Sequence, residues 1–261
     1  MVNVTVKMHN LQELIRKTHL EGLVRDVVVI FSDGRMKIEA IGTQDEQGVV
    51  DKAITLCVDY PCESTTESGE IALENIGTFL SNLELFERDD IVTITSTTKE
   101  VYITRISPNQ QITYELADKK FIKTYSEGLK TIFGNPIRLI KLDGKEKVIA
   151  FDSSVTVDAQ KLKEHGAKIS KIKAKNVPIS IKDGKLNTSV KGEVSGISRE
   201  VEGVTSATGN ASSTFIEGIL KILKQGIGTA TLRFSEGTPI HVHYEHETMK
   251  ADYLVQVYTE K

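Results

Sequence analysis

KKFIKTYSEGLKTIFGNPIRLIKLDGKEK, residues 119–147, decides how the chain is read, because the residue pattern before it and the pattern after it look alike. It reads as a connector between two related halves. The stretch holds eight Lys or Arg against three Asp or Glu. Residues 1–118 have ten against twenty, and residues 148–261 fifteen against thirteen, within a net charge of −3 for the chain. An acidic half joined by a basic strap to a mildly basic half points to one surface that meets an anion.

Outward from the strap, each side resolves into a recurring unit. Residues 2–8, VNVTVKM, alternate as a strand, and NLQELIRKTHLEGL follows with Leu11, Leu14, Ile15 and Thr18 on one helical face and Asn10 as N-cap. Three β-rich runs come next, VRDVVVIF, RMKIEAIG and VVDKAITLCV, the first two separated by a Ser-Asp-Gly turn. This βαβββ order recurs with GEIALE, the helix NIGTFLSNLELF (Ile76, Phe79, Leu80 and Leu83 inward), DIVTITS, KEVYITRI and QITYELA. After the strap, VIAFDSSVTV leads to DAQKLKEHGAKIS, with Ala159, Leu162, Gly166 and Ile169 inward, then NVPISIK, KLNTSVKG and GISREVEG. The fourth copy takes the stretch before Ser213 as its strand and STFIEGILKILKQG as its helix, with Phe215, Ile219, Ile222 and Leu223 inward. Four such copies make two similar α+β domains, 1–118 and 148–261, joined by the connector at 119–147, because one βαβββ unit cannot bury both its sheet and its helix. Within the connector, YSEGLKTIF (125–133) reads as a candidate helical turn.

Composition sets outer limits: 261 residues, 39% hydrophobic and 26% charged, suit a soluble protein with a sizeable core. The longest apolar runs fall far short of a membrane helix, and the N-terminus lacks a signal-peptide core, so an intracellular protein is expected. Cys57 and Cys62 match neither a zinc knuckle nor a redox pair and read as unpaired thiols at a strand end. His241 and His243 share one face of a strand and His246 the other, so two ligands would need help to hold a metal, and ordinary strand histidines are expected. No nucleophile, acid–base pair or metal cluster stands out; neither enzymatic activity nor a cofactor is expected.

The outward helical faces carry the chemistry. The first helix presents Glu13, Arg16, Lys17 and Leu20; the third Lys161, Lys163, Glu164 and Lys168; the fourth Glu217, Lys221 and Lys224. Lys171, Lys173 and Lys175 follow the third. The second helix is neutral at Thr78, Ser81 and Asn82 and acidic at Glu84 and Glu87, and dilutes the set. Side by side, these helices form a basic stripe without aromatic interleaving, which suits phosphates and not bases.

The order of elements resembles that of sliding clamps of the proliferating-cell nuclear antigen type. The resemblance spans essentially the whole chain and rests on FSDGRMKIEAIG (31–42), RDDIVTI (88–94), TPIHVHYE (238–245) and ADYLVQVY (251–258). It implies a DNA clamp fold, helices on the inner face and sheets outside, in a ring of three identical chains around duplex DNA bound without sequence preference. Arg16, Lys17, Lys161, Lys163, Lys168, Lys171, Lys221 and Lys224 would then line the hole. Ring closure would pair edge strands of neighbouring subunits, through Gln110, Ile112, Tyr114 and Leu116 on one side and Ile197, Arg199 and Val201 on the other. Client peptides would dock under the connector against Ile41, Leu139, Ile140, Leu142, Pro239, Tyr253 and Val255. The implied function is a non-enzymatic DNA polymerase processivity factor, placed on DNA by a clamp loader and tethering polymerase, nuclease or ligase, in a nucleoid, a nucleus or a site of viral replication. Two departures are evident. Leu254, Val255 and Gln256 stand where the family often ends Leu-Ala-Pro, and the connector is basic with one proline, Pro136. One subunit of a heterotrimeric ring, or a monomeric DNA-binding factor, is the alternative in the same fold; a scaffold that grips an acidic partner or RNA is the alternative of another class.

Overall fold

Two turns show how closely the halves repeat. Asp33-Gly34 and Asp183-Gly184 both carry positive φ at each residue, 52° and 72° in the first and 52° and 78° in the second. This left-handed pair twists with the strands it joins, and Asp-Gly adopts it at little cost. A computed structural model gives the rest, describing residues 1–44, 51–119, 122, 129–141, 144–172, 176–192, 196–247 and 249–258. It separates into two units: Met1–Ile41 with Leu56–Glu127, and Gly42–Thr55 with Gly128–Lys261.

The first half runs β1 (Asn3–Lys7), α1 (Met8–His19), β2 (Val27–Ser32), β3 (Arg35–Gln44), β4 (Asp51–Pro61), β5 (Ser64–Glu67), β6 (Gly69–Leu73), α2 (Ile76–Leu83), β7 (Ile91–Ser96), β8 (Glu100–Arg105) and β9 (Gln110–Glu115). A connector sheet follows, β10 (Leu129–Ile132), β11 (Ile137–Lys141) and β12 (Glu146–Ile149). The second half repeats the first: β13 (Ser153–Asp158), α3 (Ala159–Ile169), β14 (Asn176–Lys182), β15 (Lys185–Lys191), β16 (Gly196–Glu200), β17 (Val204–Thr208), β18 (Ala211–Ile216), α4 (Ile219–Leu223), β19 (Thr229–Phe234), β20 (Ile240–His246) and β21 (Met249–Val255).

Pairing repeats as well. The order β5-β1-β7-β8-β9 of the first unit recurs as β17-β13-β19-β20-β21 in the second, and β4-β3-β2-β6 recurs as β16-β15-β14-β18. Even the irregularity is shared, since register shifts once where β1 meets β5 and once where β13 meets β17. Strand alternation builds each core. Val4, Val6, Val92, Ile94, Val101 and Ile103 face inward in the first unit, and Val155, Val157, Leu232, Phe234, Val242 and Tyr244 in the second.

The expected order therefore holds, with differences of known cause. Strand β5 has no counterpart in the sequence pattern, because STTE carries no apolar alternation, and the stretch before Ser213, expected as one strand, holds β17 and the start of β18. Asn10 is not the cap of α1: the helix starts at Met8, and the carbonyls of Asp90 and Arg88 accept from the Met8 and His9 amides at 2.8 and 2.9 Å. Backbone from a distant turn does the work of a capping side chain. The fourth helix is far shorter than expected, since Ser213–Ile216 belong to β18 and only Ile219–Leu223 are helical. Phe215 is buried all the same, as a strand residue. In the connector, Leu129–Ile132 pair with Ile137–Lys141 as strands and not as a helical turn; residues 125–128 lie outside the described residues.

Glycine sets the spacing of α3 and α4. A Cβ on Gly226 would lie 2.0 Å from the Ala159 carbonyl oxygen, and one on Gly166 3.1 Å from the Leu223 Cβ. Gly226→Ala is expected to lower unfolding stability by about 2–3 kcal/mol or more, because a fixed backbone oxygen must move; a urea titration followed by circular dichroism measures it.

Candidate nucleic-acid interface

Asp158 starts α3, its Oδ1 accepting from the Lys161 amide at 2.9 Å. From that start, the 3.6-residue period turns Leu162, His165, Gly166 and Ile169 inward and leaves Lys161, Lys163 and Lys168 exposed. Lys168 sits in the last turn, where the helix dipole favours a cation. The glycines that let α4 approach also gather its lysines. A Cβ on Gly226 would meet the Lys163 Cβ at 3.2 Å, and one on Gly166 the Lys224 Cγ at 3.4 Å. Lys221 and Lys224 are half-buried, and Lys171 is exposed just past α3. Five lysines thus stand on one helix pair, with Glu164 against Lys161 at 3.8 Å.

The first unit differs. Lys17 is not outward: its side chain is 2% exposed, with Nζ 4.0 Å from the Glu13 Oε2. Leu20 is likewise fully buried, because its left-handed conformation turns the chain back at the helix end. Glu13 is nearly buried too, and Arg16 bonds to it while lying 3.6 Å from Glu84. The physical reason is that α1 is covered on more than its apolar stripe, Gln12 reaching the carbonyl of Leu83 at the end of α2 at 3.0 Å. Cations on this helix pair are therefore matched by carboxylates. Lys173 and Lys175 lie outside the described residues.

His165 lies beneath the α3 lysines. Burial lowers its pKa to about 4, and the positive charges of Arg199 and Lys168 add to the effect. The folded chain thus binds this proton more weakly than the unfolded chain, whose histidine titrates near 6.5. Its contribution to stability is complete above pH 6.5 and is lost as pH falls towards 4. Stability of the His165→Gln variant is expected to fall less steeply over that window in chemical denaturation at stepped pH.

The edges expected to close a ring are edges in the fold. β9 ends one sheet and β16 another. Gln110, Ile112, Tyr114 and Leu116 share a half-buried face. Tyr114 donates to the Glu74 carbonyl at 2.6 Å, and its ring stands edge-on to Phe79 at 5.0 Å. Ile197 and Arg199 are half-exposed, whereas Val201 is 1% exposed, its amide donating to the Leu186 carbonyl at 2.8 Å. Val201 is thus a core residue of its own chain.

The residues expected around a peptide pocket divide. In the second unit, β20 and β21 pair His241 with Leu254 and Val242 with Tyr253. Tyr253 and Val255 accordingly point into the core, both fully buried, with Tyr253 edge-on to Tyr244. The other sheet face carries Leu254, which clusters with Ile137 and Ile149 of the connector, flanked by Phe133, Leu139 and Phe151. Leu139, Ile140 and Pro239 are half-buried, as is Ile41 in β3, and Leu142 lies outside the described residues. Sequence alone does not say that the connector covers the face that carries Leu254.

On that covered face, Asp252 Oδ1 accepts from His241 Nε2 and His243 Nδ1, each at 2.8 Å. Burial alone would raise the Asp252 pKa, but these two bonds outweigh it and hold it at about 2. Burial lowers the pKa of His241 against the pull of Asp252. Cys57 and Cys62 are both half-buried.

No protein-family model matches the sequence, and no curated protein matches it significantly. Solved structures do. The PCNA of A. fulgidus, solved with the C-terminal region of FEN-1 bound, aligns over 100% of both chains at 16% identity with a TM-score of 0.76. The chain has the fold of a sliding clamp. A PCNA2–PCNA3 complex from Sulfolobus tokodaii aligns over 99% of this chain and 100% of that one, at 14% identity and a TM-score of 0.75. The PCNA of Entamoeba histolytica aligns over 99% of both at 9% identity and 0.76. The clamp fold is thus kept end to end with few identical residues, as the resemblance of element order implied.

Proposed function

We propose that this protein is a DNA polymerase processivity factor, a ring of three chains that encircles duplex DNA and holds polymerase and other replication or repair proteins to it without catalysis of its own. The observation that carries the reading is the lysine surface of α3 and α4 on a chain with the clamp fold over its whole length. Lysines spaced along a helix pair bind phosphates without reading bases, so a ring is retained and still slides. β9 and β16 are the two sheet ends that would pair between neighbours, and pairing would remove edges that otherwise invite aggregation. Clients would dock through a short apolar peptide beside the connector sheet, near Leu139, Ile140 and Pro239, and a clamp loader would open the ring.

Native mass and DNA retention test the two parts separately. Light scattering behind a sizing column is expected to show a species near 87 kDa, three times the 28.9 kDa chain. Ile197→Lys, which puts a charge on the β16 edge, is expected to shift it towards 29 kDa. A monomer at every concentration would reject the homotrimer. Retention on nicked circular DNA should fall for Lys163→Glu with Lys168→Glu, and the salt dependence of binding should become shallower by about one unit of slope for each lysine removed. Retention equal to that of the unaltered protein would reject the assignment of α3 to the DNA face.

A further inference from the structure

The pair of histidines on β20 has a third partner that strand periodicity did not reveal. Asp252 of β21 stands directly opposite His243 in the sheet register, diagonal to His241, and on the same face. We propose that His241, His243 and Asp252 form a binding site for a divalent transition-metal ion of the zinc class. This reading is independent of the clamp function.

Geometry supports it first. One ligand atom from each of the three residues lies within 4.8 Å of the others. His241 Nε2 and His243 Nδ1 both sit 2.8 Å from the same Asp252 oxygen. With metal bonds of about 2.0–2.1 Å, tetrahedral ligands stand about 3.3 Å apart, so each 2.8 Å histidine–aspartate distance opens by about half an ångström when an ion enters. Two imidazoles and one carboxylate are a borderline donor set that prefers zinc, cobalt or nickel to magnesium or calcium. His241 is 1% exposed and roofed by the rings of Phe133 and Phe151, at 5.7 and 6.2 Å between centroids, whereas His243 is 21% and Asp252 16% exposed. The site is therefore closed on the connector side and open on the His243 side, where a water or fourth ligand can complete the shell.

The surroundings of the two histidines differ. For His243 Nδ1 to bind metal, its proton must sit on Nε2, and the Glu245 carboxylate lies 3.8 Å from that atom, placed to draw it there. For His241 Nε2 to bind, the proton moves to Nδ1, which faces the Arg233 Nη1 at 3.5 Å. That guanidinium can only donate, so it must swing away. The structure thus predicts opposite effects of two neighbours: Glu245 supports metal binding and Arg233 weakens it.

The test is calorimetric titration of zinc chloride into the full chain after chelator treatment, with cobalt(II) absorption as a signature of the ligand set. One zinc per chain is expected, with no competition from magnesium. His243→Ala and Asp252→Asn should each weaken binding at least tenfold, and Arg233→Met should strengthen it. His246→Ala, an exposed histidine at the end of the same strand, should change nothing. Because Asp252→Asn alters a mostly buried group, the half-exposed His243→Asn provides a second ligand variant whose folding is checked by circular dichroism. Absence of stoichiometric zinc on the unaltered chain, or zinc binding that survives the His243 variants in folded protein, overturns the assignment.

Discussion

The lysine-bearing face of the second unit depends on how closely α3 and α4 approach. The seam is made of glycine backbone: the Ala159 carbonyl occupies the place where a Gly226 Cβ would be, and the Leu223 side chain stands tight against that of Gly166. A five-residue helix such as α4 cannot hold itself together in water. It is fixed from outside, its Ile222 carbonyl accepting from the buried Tyr244 hydroxyl at 2.9 Å. The first unit solves the same problem with Gln12, whose amide reaches the last carbonyl of α2. In both, a side chain from elsewhere satisfies the helix end that the short helix leaves open.

The two units share their strand order, their Asp-Gly turns and a register shift, yet their helix pairs are not electrically alike. Around α1, Glu13 gathers Arg16, Arg88 at 3.8 Å and Lys17, which cancels charge locally. Around α3, Glu164 lies 3.8 Å from Lys161, and Lys163 and Lys168 are exposed. The strand order is common to both units, while the exposed lysines stand on the helix pair of the second.

The same divergence marks the opposite sheet face. Register places Tyr102, Thr104, Gln111 and Thr113 of the first unit where the second has His241, His243, Asp252 and Leu254. In the first unit the face carries a hydroxyl–amide contact, Thr104 to Gln111 at 3.3 Å. In the second it carries a carboxylate between two imidazoles, under the aromatic rings and apolar cluster of the connector. Cover removes part of the water around Asp252, and a partly desolvated charge is stabilised by pairing. The histidines supply that pairing.

Most of the order of elements, the inward stripes of α1 and α3 and the exposure of Lys161, Lys163 and Lys168 were legible in the residue pattern, because period two and period 3.6 are local properties of a chain; on α2, Ile76, Phe79 and Leu83 are buried but Leu80 is only half-buried. Tertiary structure alone decided the rest. Lys17 and Leu20 went inward because α1 is covered on more than one side; α4 shrank because β18 claimed its first residues through pairing with β14. Tyr253, expected at a pocket wall, points into the core and Leu254 towards the connector, because adjacent strand residues face opposite ways and only the connector's position says which face is covered. Asp252 joined His241 and His243 through a register between β20 and β21, and register is set by contacts between strands and is not written in either strand.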